Sequence, residues 1–243
     1  MEPVIELRKV SKKFILPHLR EYTLKNSILN FGKSRSYEKY DALKEISFAV
    51  NRGEFIGIIG KNGSAKSLLL KIIAGIYKPT KGEVLVKEKL LAFLELGLGS
   101  SAELSGRDNI YLYGAVLGLR KSEIKRKFGE IVAFSELEKF IDQKLKNYSS
   151  GMQVRLAFAV AIQVDAPVLL IDEVLAVGDA GFQAKCAEIF KGFKEKGKTV
   201  IYVSHNLESI ERWCDRTMLL HEGNLLAFGN TPEVIQEYVN RIL

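Results

Sequence analysis

Cysteine is almost missing from this sequence. Cys186 and Cys214 are the only two among 243 residues. They lack metal-site spacing and are too few for a disulfide scaffold, which agrees with a reducing compartment. Long apolar runs are missing as well: no stretch approaches the roughly 20 residues that cross a bilayer, and the opening MEPVIELRKVSKKF carries no signal-peptide core. The expectation is a cytoplasmic chain. Zinc-finger spacing and an aromatic RNA-binding signature are also absent. The net charge of +7, from 36 Lys and Arg against 29 Asp and Glu, therefore adds little for nucleic acid as a partner. That charge is equally compatible with an anionic membrane face or a phosphorylated substrate. No internal repeat or low-complexity tract is found.

What is present suffices for one sizeable core, with or without a small appended lobe. VIELRKVSKKF and ALKEISFAVNRGE have the alternation of strands in an antiparallel edge sheet, the second closing on a turn at Gly53. Between them, residues 18–40 (HLREYTLKNSILNFGKSRSYEKY) form a polar insertion with five Lys or Arg and an amphipathic stretch around residues 19–29. Its mixture of basic and apolar residues suits a membrane face or another protein, where it would meet a phosphorylated head group; a solvated loop is the plainer alternative. Residues 104–164 read as almost all helix, and strand and helix alternation resumes at Pro167. The fold expected is α/β, with a helical lobe at about residues 100–165 inserted into the core.

The chemistry begins at GIIGKNGSAKSLLLK, residues 57–71, which follows the phosphate-loop pattern G-x-x-x-x-G-K-[ST] except that Ala65 replaces the second glycine. FIGII before it is a buried-strand run, and SLLLKIIAG after it has helical spacing ended by Gly75. In such a loop, consecutive N–H groups curve around phosphates, Lys66 reaches the outer ones and Ser67 ligates magnesium. The methyl of Ala65 costs anything from almost nothing to about a few kcal/mol, depending on backbone angles that the sequence does not specify.

Two further strands end in reactive groups. PVLLIDE is a continuous apolar run followed by Asp172 and Glu173, and ligands of parallel sheets sit beyond the carboxyl ends of the strands. Asp172 is placed to hold magnesium, and Glu173 to orient or deprotonate an attacking water. TVIYVSH repeats the design with Ser204 and His205, one of only three histidines, suited to donate to a γ-phosphate. YSSGMQVRLAFAVAIQ opens a long apolar helix with small and hydroxyl residues, a start that serves as a serine N-cap and as an anion site. Each segment alone has an ordinary structural explanation. Their combination is what points to nucleotide chemistry.

Taken in order, GKNGSAKS, YSSGMQ, LLIDE, a loop ending at Asp179, and SH resemble the nucleotide-binding subunit of an ABC transporter. ELGLGSSAELSGRDNI and DEVLAVGDAGFQAKC are similar to the ATPases of exporters for O-antigen, capsular polysaccharide and teichoic acid. The resemblance covers essentially the whole chain and implies the P-loop NTPase core of ABC type, as a single domain over residues 1–243. It implies a phosphate loop of Gly60, Lys61, Asn62, Gly63, Ser64, Ala65, Lys66, Ser67 and Leu68, where threonine is common at Leu68. It further implies magnesium on Ser67 and Asp172, Glu173 as catalytic base and His205 as the switch histidine. Tyr148, Ser149, Ser150, Gly151 and Met152 become the signature loop, and Asp179 the link between two sites. Glu95 takes the place of a glutamine that senses the membrane subunit. Phe14, with Tyr40 as its rival, becomes the aromatic that stacks on adenine.

The cofactors implied are ATP and Mg. The partners implied are a second copy, the pair sandwiching two ATP molecules head to tail, and a transmembrane permease subunit, also in two copies. A lipid-linked polysaccharide would pass through that permease, at the cytoplasmic face of the inner membrane. Some relatives carry a carboxyl-terminal carbohydrate-binding domain, which is not expected here. A soluble ABC ATPase acting on DNA or ribosomes would call for a long coiled-coil insertion or two fused halves. A regulatory module silenced by Ala65 would have no physical need for the complete set of Lys66, Asp172, Glu173 and His205.

Overall fold

The computed structural model describes residues 2–17, 37–93, 99–172 and 179–242. Along the described chain, β1 (Ile5–Pro17) and β2 (Tyr37–Val50) are followed by β3 (Phe55–Ile59), α1 (Lys66–Ile73), β4 (Lys81–Val86) and β5 (Leu90–Phe93). Next come α2 (Gly106–Val116), α3 (Lys121–Ser135) and α4 (Ser150–Ala161). The chain then runs through β6 (Val168–Asp172), α5 (Ala180–Glu195), β7 (Thr199–Val203), α6 (Leu207–Trp213), β8 (Arg216–His221), β9 (Asn224–Asn230) and α7 (Thr231–Arg241). Glu95, Glu173 and residues 18–36 of the insertion lie outside the described residues.

The central sheet has the order β5-β6-β7-β3-β8-β9 and is parallel except for β9, which turns back antiparallel on β8. Its inner strands are apolar without alternation because each face meets a separate core. Phe55, Ile59, Leu169, Ile171, Val200, Tyr202 and Leu219 enter the core shared with α2 to α7. Their neighbours Ile56, Ile58, Val168, Leu170, Ile201, Val203, Met218 and Leu220 point the other way. That second core is closed by α1 and by the antiparallel sheet β2-β1-β4, which contributes Leu7, Val10, Leu43, Ile46, Phe48 and Val50. Side chains alternate across a strand, so five-residue runs serve both layers at once.

Two boundaries differ from the sequence reading. The insertion does not extend to Tyr40: residues 37–40 belong to β2 and pair with residues 14–17 of β1. Cross-strand contacts explain this, since Phe14 faces Tyr40 and Lys13 meets Asp41 at 2.9 Å. Because β4 pairs with β1 no further than Ser11, the end of this hairpin runs on as a two-stranded ribbon. The stretch 104–164 is helical in three pieces rather than throughout. Gly118 (φ 86°) follows α2, and Glu136 (φ 58°) ends α3 in the left-handed region. Residues 136–149 hold only a short 3-10 turn at Leu145–Asn147.

Candidate functional site

Because β6, β7 and β3 are adjacent and parallel, their carboxyl ends emerge on one edge of the sheet. Gly60 follows β3, Asp172 ends β6, and Ser204 and His205 follow β7. Residues 62–68, Asp172 and His205 line one cleft of about 480 Å³. Sheet topology thus brings together groups that lie over 140 positions apart in the chain.

The loop has the shape its glycines permit. Gly60 (φ 149°) passes so close to β8 that a Cβ there would lie 2.1 Å from the Leu220 carbonyl oxygen, and Gly63 adopts φ 80°. Ala65 has φ 77° and ψ 23°, a left-handed conformation, while its methyl packs against the core beneath α1. This resolves the cost left open by the sequence: an L residue in that region is strained by about 1–2 kcal/mol relative to glycine. Ala65 offers α1 no side-chain cap, and no acid occupies the first turn, so the helix start remains disposed toward an anion. The Lys66 ammonium is buried and donates to the carbonyl oxygens of Gly60 (2.8 Å) and Lys61 (3.0 Å). Within the loop, the Ser64 hydroxyl is buried without a hydrogen-bond partner among the described residues. A cationic, N–H-rich concavity fits the phosphates of a nucleotide. The Ser67 hydroxyl and Asp172 carboxylate, lining the same cleft, are the hard oxygen donors that magnesium takes. Leu68 also lines the cleft and is half-buried against the core.

His205 is exposed at the cleft, in a turn held by hydroxyls. Ser204 Oγ accepts from Asn206 N at 3.1 Å, and Ser209 Oγ lies 3.2 Å from Ser204 Oγ and 3.1 Å from Tyr202 Oη. Ser209 also donates to the Asn206 carbonyl at 2.8 Å. Sequence reasoning missed Ser209 and Tyr202. The spacing i, i+5 from Ser204 and i, i+7 from Tyr202 to Ser209 around a strand end was the available signal.

The start of α4 lies elsewhere. Ser149 caps the helix by accepting from Met152 N at 3.2 Å, Ser150 is exposed, and Gly151 and Met152 are half-buried. None of these four residues lines the cleft. Tyr148, expected with them, is buried, and its hydroxyl donates to the Phe140 carbonyl at 2.7 Å. Burial, and secondarily Asp142, push that hydroxyl above the ordinary tyrosine range. A Cβ on Gly106 would come within 2.2 Å of Tyr148 Oη, so Tyr148 acts as an anchor between α4 and α2. Asp179 caps α5 through Phe182 N at 3.0 Å and is bonded by Arg155 of α4.

Phe14 and Tyr40 are not alternatives in space, since they are register partners on β1 and β2. Phe14 packs edge-on against Tyr77 with ring centroids 6.2 Å apart, and the Lys12 ammonium stands 5.3 Å and 5.6 Å from the two rings. Tyr77, 63 positions further along, had no local motif to reveal it.

The family model for "ABC transporter" matches residues 43–176, more than half of the chain. The chain is 43% identical over 243 residues to the O-antigen export system ATP-binding protein RfbB of Klebsiella pneumoniae, covering 98% of each. It is 36% identical to the teichoic acids export ATP-binding protein TagH of Listeria monocytogenes, covering 96% of this chain and 69% of that protein. Among solved structures, a dimeric bacterial ABC transporter cassette superposes with a TM-score of 0.73 at 25% identity, over 93% of this chain and 98% of the other.

Proposed function

The chain belongs to the ABC transporter family, and on that premise we propose that it is the ATP-hydrolysing subunit of an exporter. Its cargo would be a lipid-linked polysaccharide, O-antigen first and capsule or teichoic acid as alternatives, moved across the cytoplasmic membrane. The observation that carries this reading is the cleft uniting Lys66, Ser67, Asp172 and His205, in a chain that matches an O-antigen export protein from end to end. Among the described residues no helix is long and apolar enough to cross a membrane. On this reading the cargo would pass through a separate permease subunit.

Each residue has a role that its position supports. Lys66 leaves the loop carbonyls to meet the outer phosphates, and the N–H groups of residues 63–67 hold the inner ones. Ser67 and Asp172 would hold magnesium, which neutralises charge developing between the β- and γ-phosphates. Glu173, next after Asp172, orients and deprotonates the attacking water, and His205 donates to the γ-phosphate. Phe14 offers its ring to the adenine. The start of α4 is exposed and outside the cleft of its own chain, as it would be if it served the cleft of a second copy. Two chains related by a two-fold axis would then complete two sites, in line with the dimeric cassette that shares the fold.

In cells that make the polymer, a Lys66→Ala chain is expected to abolish its surface display and leave lipid-linked polymer inside. Purified with its permease, that variant should lose ATP turnover. Normal surface polymer would overturn the export role, and normal turnover would overturn the assignment of the cleft.

A further inference from the structure

Asn109 on α2 is a polar side chain buried to 2% exposure. Its carboxamide gathers the loop that leads into α2. Oδ1 accepts from Ser101 N at 2.7 Å, and Nδ2 donates to the carbonyl oxygens of Ser101 (3.0 Å), Leu104 (3.2 Å) and Ser105 (2.8 Å). An acceptor and two donors on one short side chain make that set possible. The four bonds satisfy a buried amide and fold residues 101–105 into one shape.

The gathered loop grips the segment that leads into α4. Leu145 N donates to Leu104 O at 2.9 Å and Lys146 N to Ala102 O at 3.0 Å, while Gly106 N and Arg107 N reach Gln143 O (3.0 Å) and Ile141 O (2.8 Å). At the surface Glu103 adds the ammonium groups of Lys144 (3.1 Å) and Lys146 (3.0 Å), pairs of a kind that contribute little by themselves. From the turn Leu145–Asn147 the chain passes through Tyr148 to Ser149, the cap of α4. Packing leaves room beside that start: a cavity of about 70 Å³ is lined by Asn109 and Tyr113 of α2, Leu145, and Gln153 and Leu156 of α4. Contact between the two helices is incomplete there, so the hydrogen bonds of the loop place the start of α4. We propose that Asn109 is a positioning residue for the site of the second copy, setting through residues 101–105 and 143–146 where Ser150 and Gly151 stand. This rests on the functional reading above and adds a residue to it. None of these residues lines the cleft that holds Lys66 and Asp172, so the chain's own grip on nucleotide is independent of Asn109.

The experiment measures steady-state ATP turnover, and equilibrium binding of a fluorescent ATP analogue, on the full-length wild-type chain and on Asn109→Ala. The variant is expected to lower kcat about tenfold while the dissociation constant stays within about threefold. Equal mixtures then show which half of the shared site is damaged. Mixed with Lys66→Ala, whose start of α4 is intact, Asn109→Ala should rise from about a tenth to about a quarter of wild-type turnover, because half the dimers pair a sound cleft with a sound helix start. Mixed with Ser150→Arg it should fall to about a twentieth, because no dimer then holds a sound helix start. A general loss of stability would respond alike to both partners. Unchanged kcat in a folded Asn109→Ala chain, a dissociation constant that rises in step with the loss, or equal turnover in the two mixtures would overturn the positioning role. If Asn109→Ala does not fold, Glu103→Arg takes its place: the site is exposed, and the reversed charge repels Lys144 and Lys146 from the same loop. Its binding must likewise hold, and its mixture with Lys66→Ala must be the faster of the two. If Lys66→Ala and Ser150→Arg do not restore each other, the shared site is overturned and this role with it, whereas failure confined to the Asn109 or Glu103 chains overturns this role alone.

Discussion

The cleft at the strand ends and the start of α4 are made of similar materials: small residues, hydroxyls and the N-terminus of a helix. They differ in completeness. Around the cleft, the parallel sheet delivers a cation, two oxygen donors and a histidine to one volume. At α4 the capping bond between Ser149 and Met152 is satisfied, Ser150 is exposed, and none of Ser149, Ser150, Gly151 and Met152 lines the cleft that holds Asp172 and His205. On the proposed reading, the cleft supplies the groups that hold the nucleotide, and the start of α4 serves the cleft of a second copy.

The largest expected effect separates chemistry from binding within the cleft. Glu173→Gln keeps shape and a hydrogen bond but removes the base, so turnover should fall about 100-fold or more while ATP still binds and drives association. Sedimentation with and without ATP checks the second half; an identical monomer fraction would contradict the shared site.

The comparison itself is broken or upheld by mixing. Lys66→Ala disables the cleft and Ser150→Arg disables the start of α4, so each variant alone should be inactive. An equal mixture should recover about a quarter of wild-type turnover, because half the dimers are mixed and each mixed dimer keeps one intact pair of halves. No recovery would mean that the two regions act within one chain.

Ala65 tests whether strain in the loop governs function or only stability. Ala65→Gly should raise the thermal midpoint by about 2–4 °C, since glycine occupies this left-handed conformation without strain. Turnover should change by less than about threefold, because Ala65 is already in the loop conformation. Restored activity in a variant of an otherwise inactive protein would instead mean that the methyl disables the loop.

The smallest effect concerns Asp179, whose carboxyl is held below the usual range first by the Phe182 N–H and then by Arg155. A depressed carboxyl stabilises the fold above its ordinary pKa, and that contribution disappears as pH falls through the lowered value. Against Asp179→Asn, which keeps a capping oxygen, wild type should melt about 1–2 °C higher at pH 7, with the gap closing below about pH 4. A gap that persists in acid would assign it to something other than charge.

Much of the cleft was legible in the sequence because phosphate binding makes local demands. A glycine-rich turn, a lysine and a hydroxyl must follow one another when a single strand, turn and helix form the cradle, and residues 60–68 show that order openly. Apolar runs ending in Asp172 and in His205 were equally readable, since a strand buried on both faces cannot hide among surface residues. Tertiary structure alone decided the rest. It set Ala65 in the left-handed region, ran β2 back to Tyr37 through cross-strand contacts, stood Tyr77 against Phe14, and turned Tyr148 inward to Phe140. It also joined Glu136, Arg155, Asp179 and Lys185 across three helices. Those outcomes depend on which distant segments the two cores press together, and no window of sequence contains both sides of such a contact.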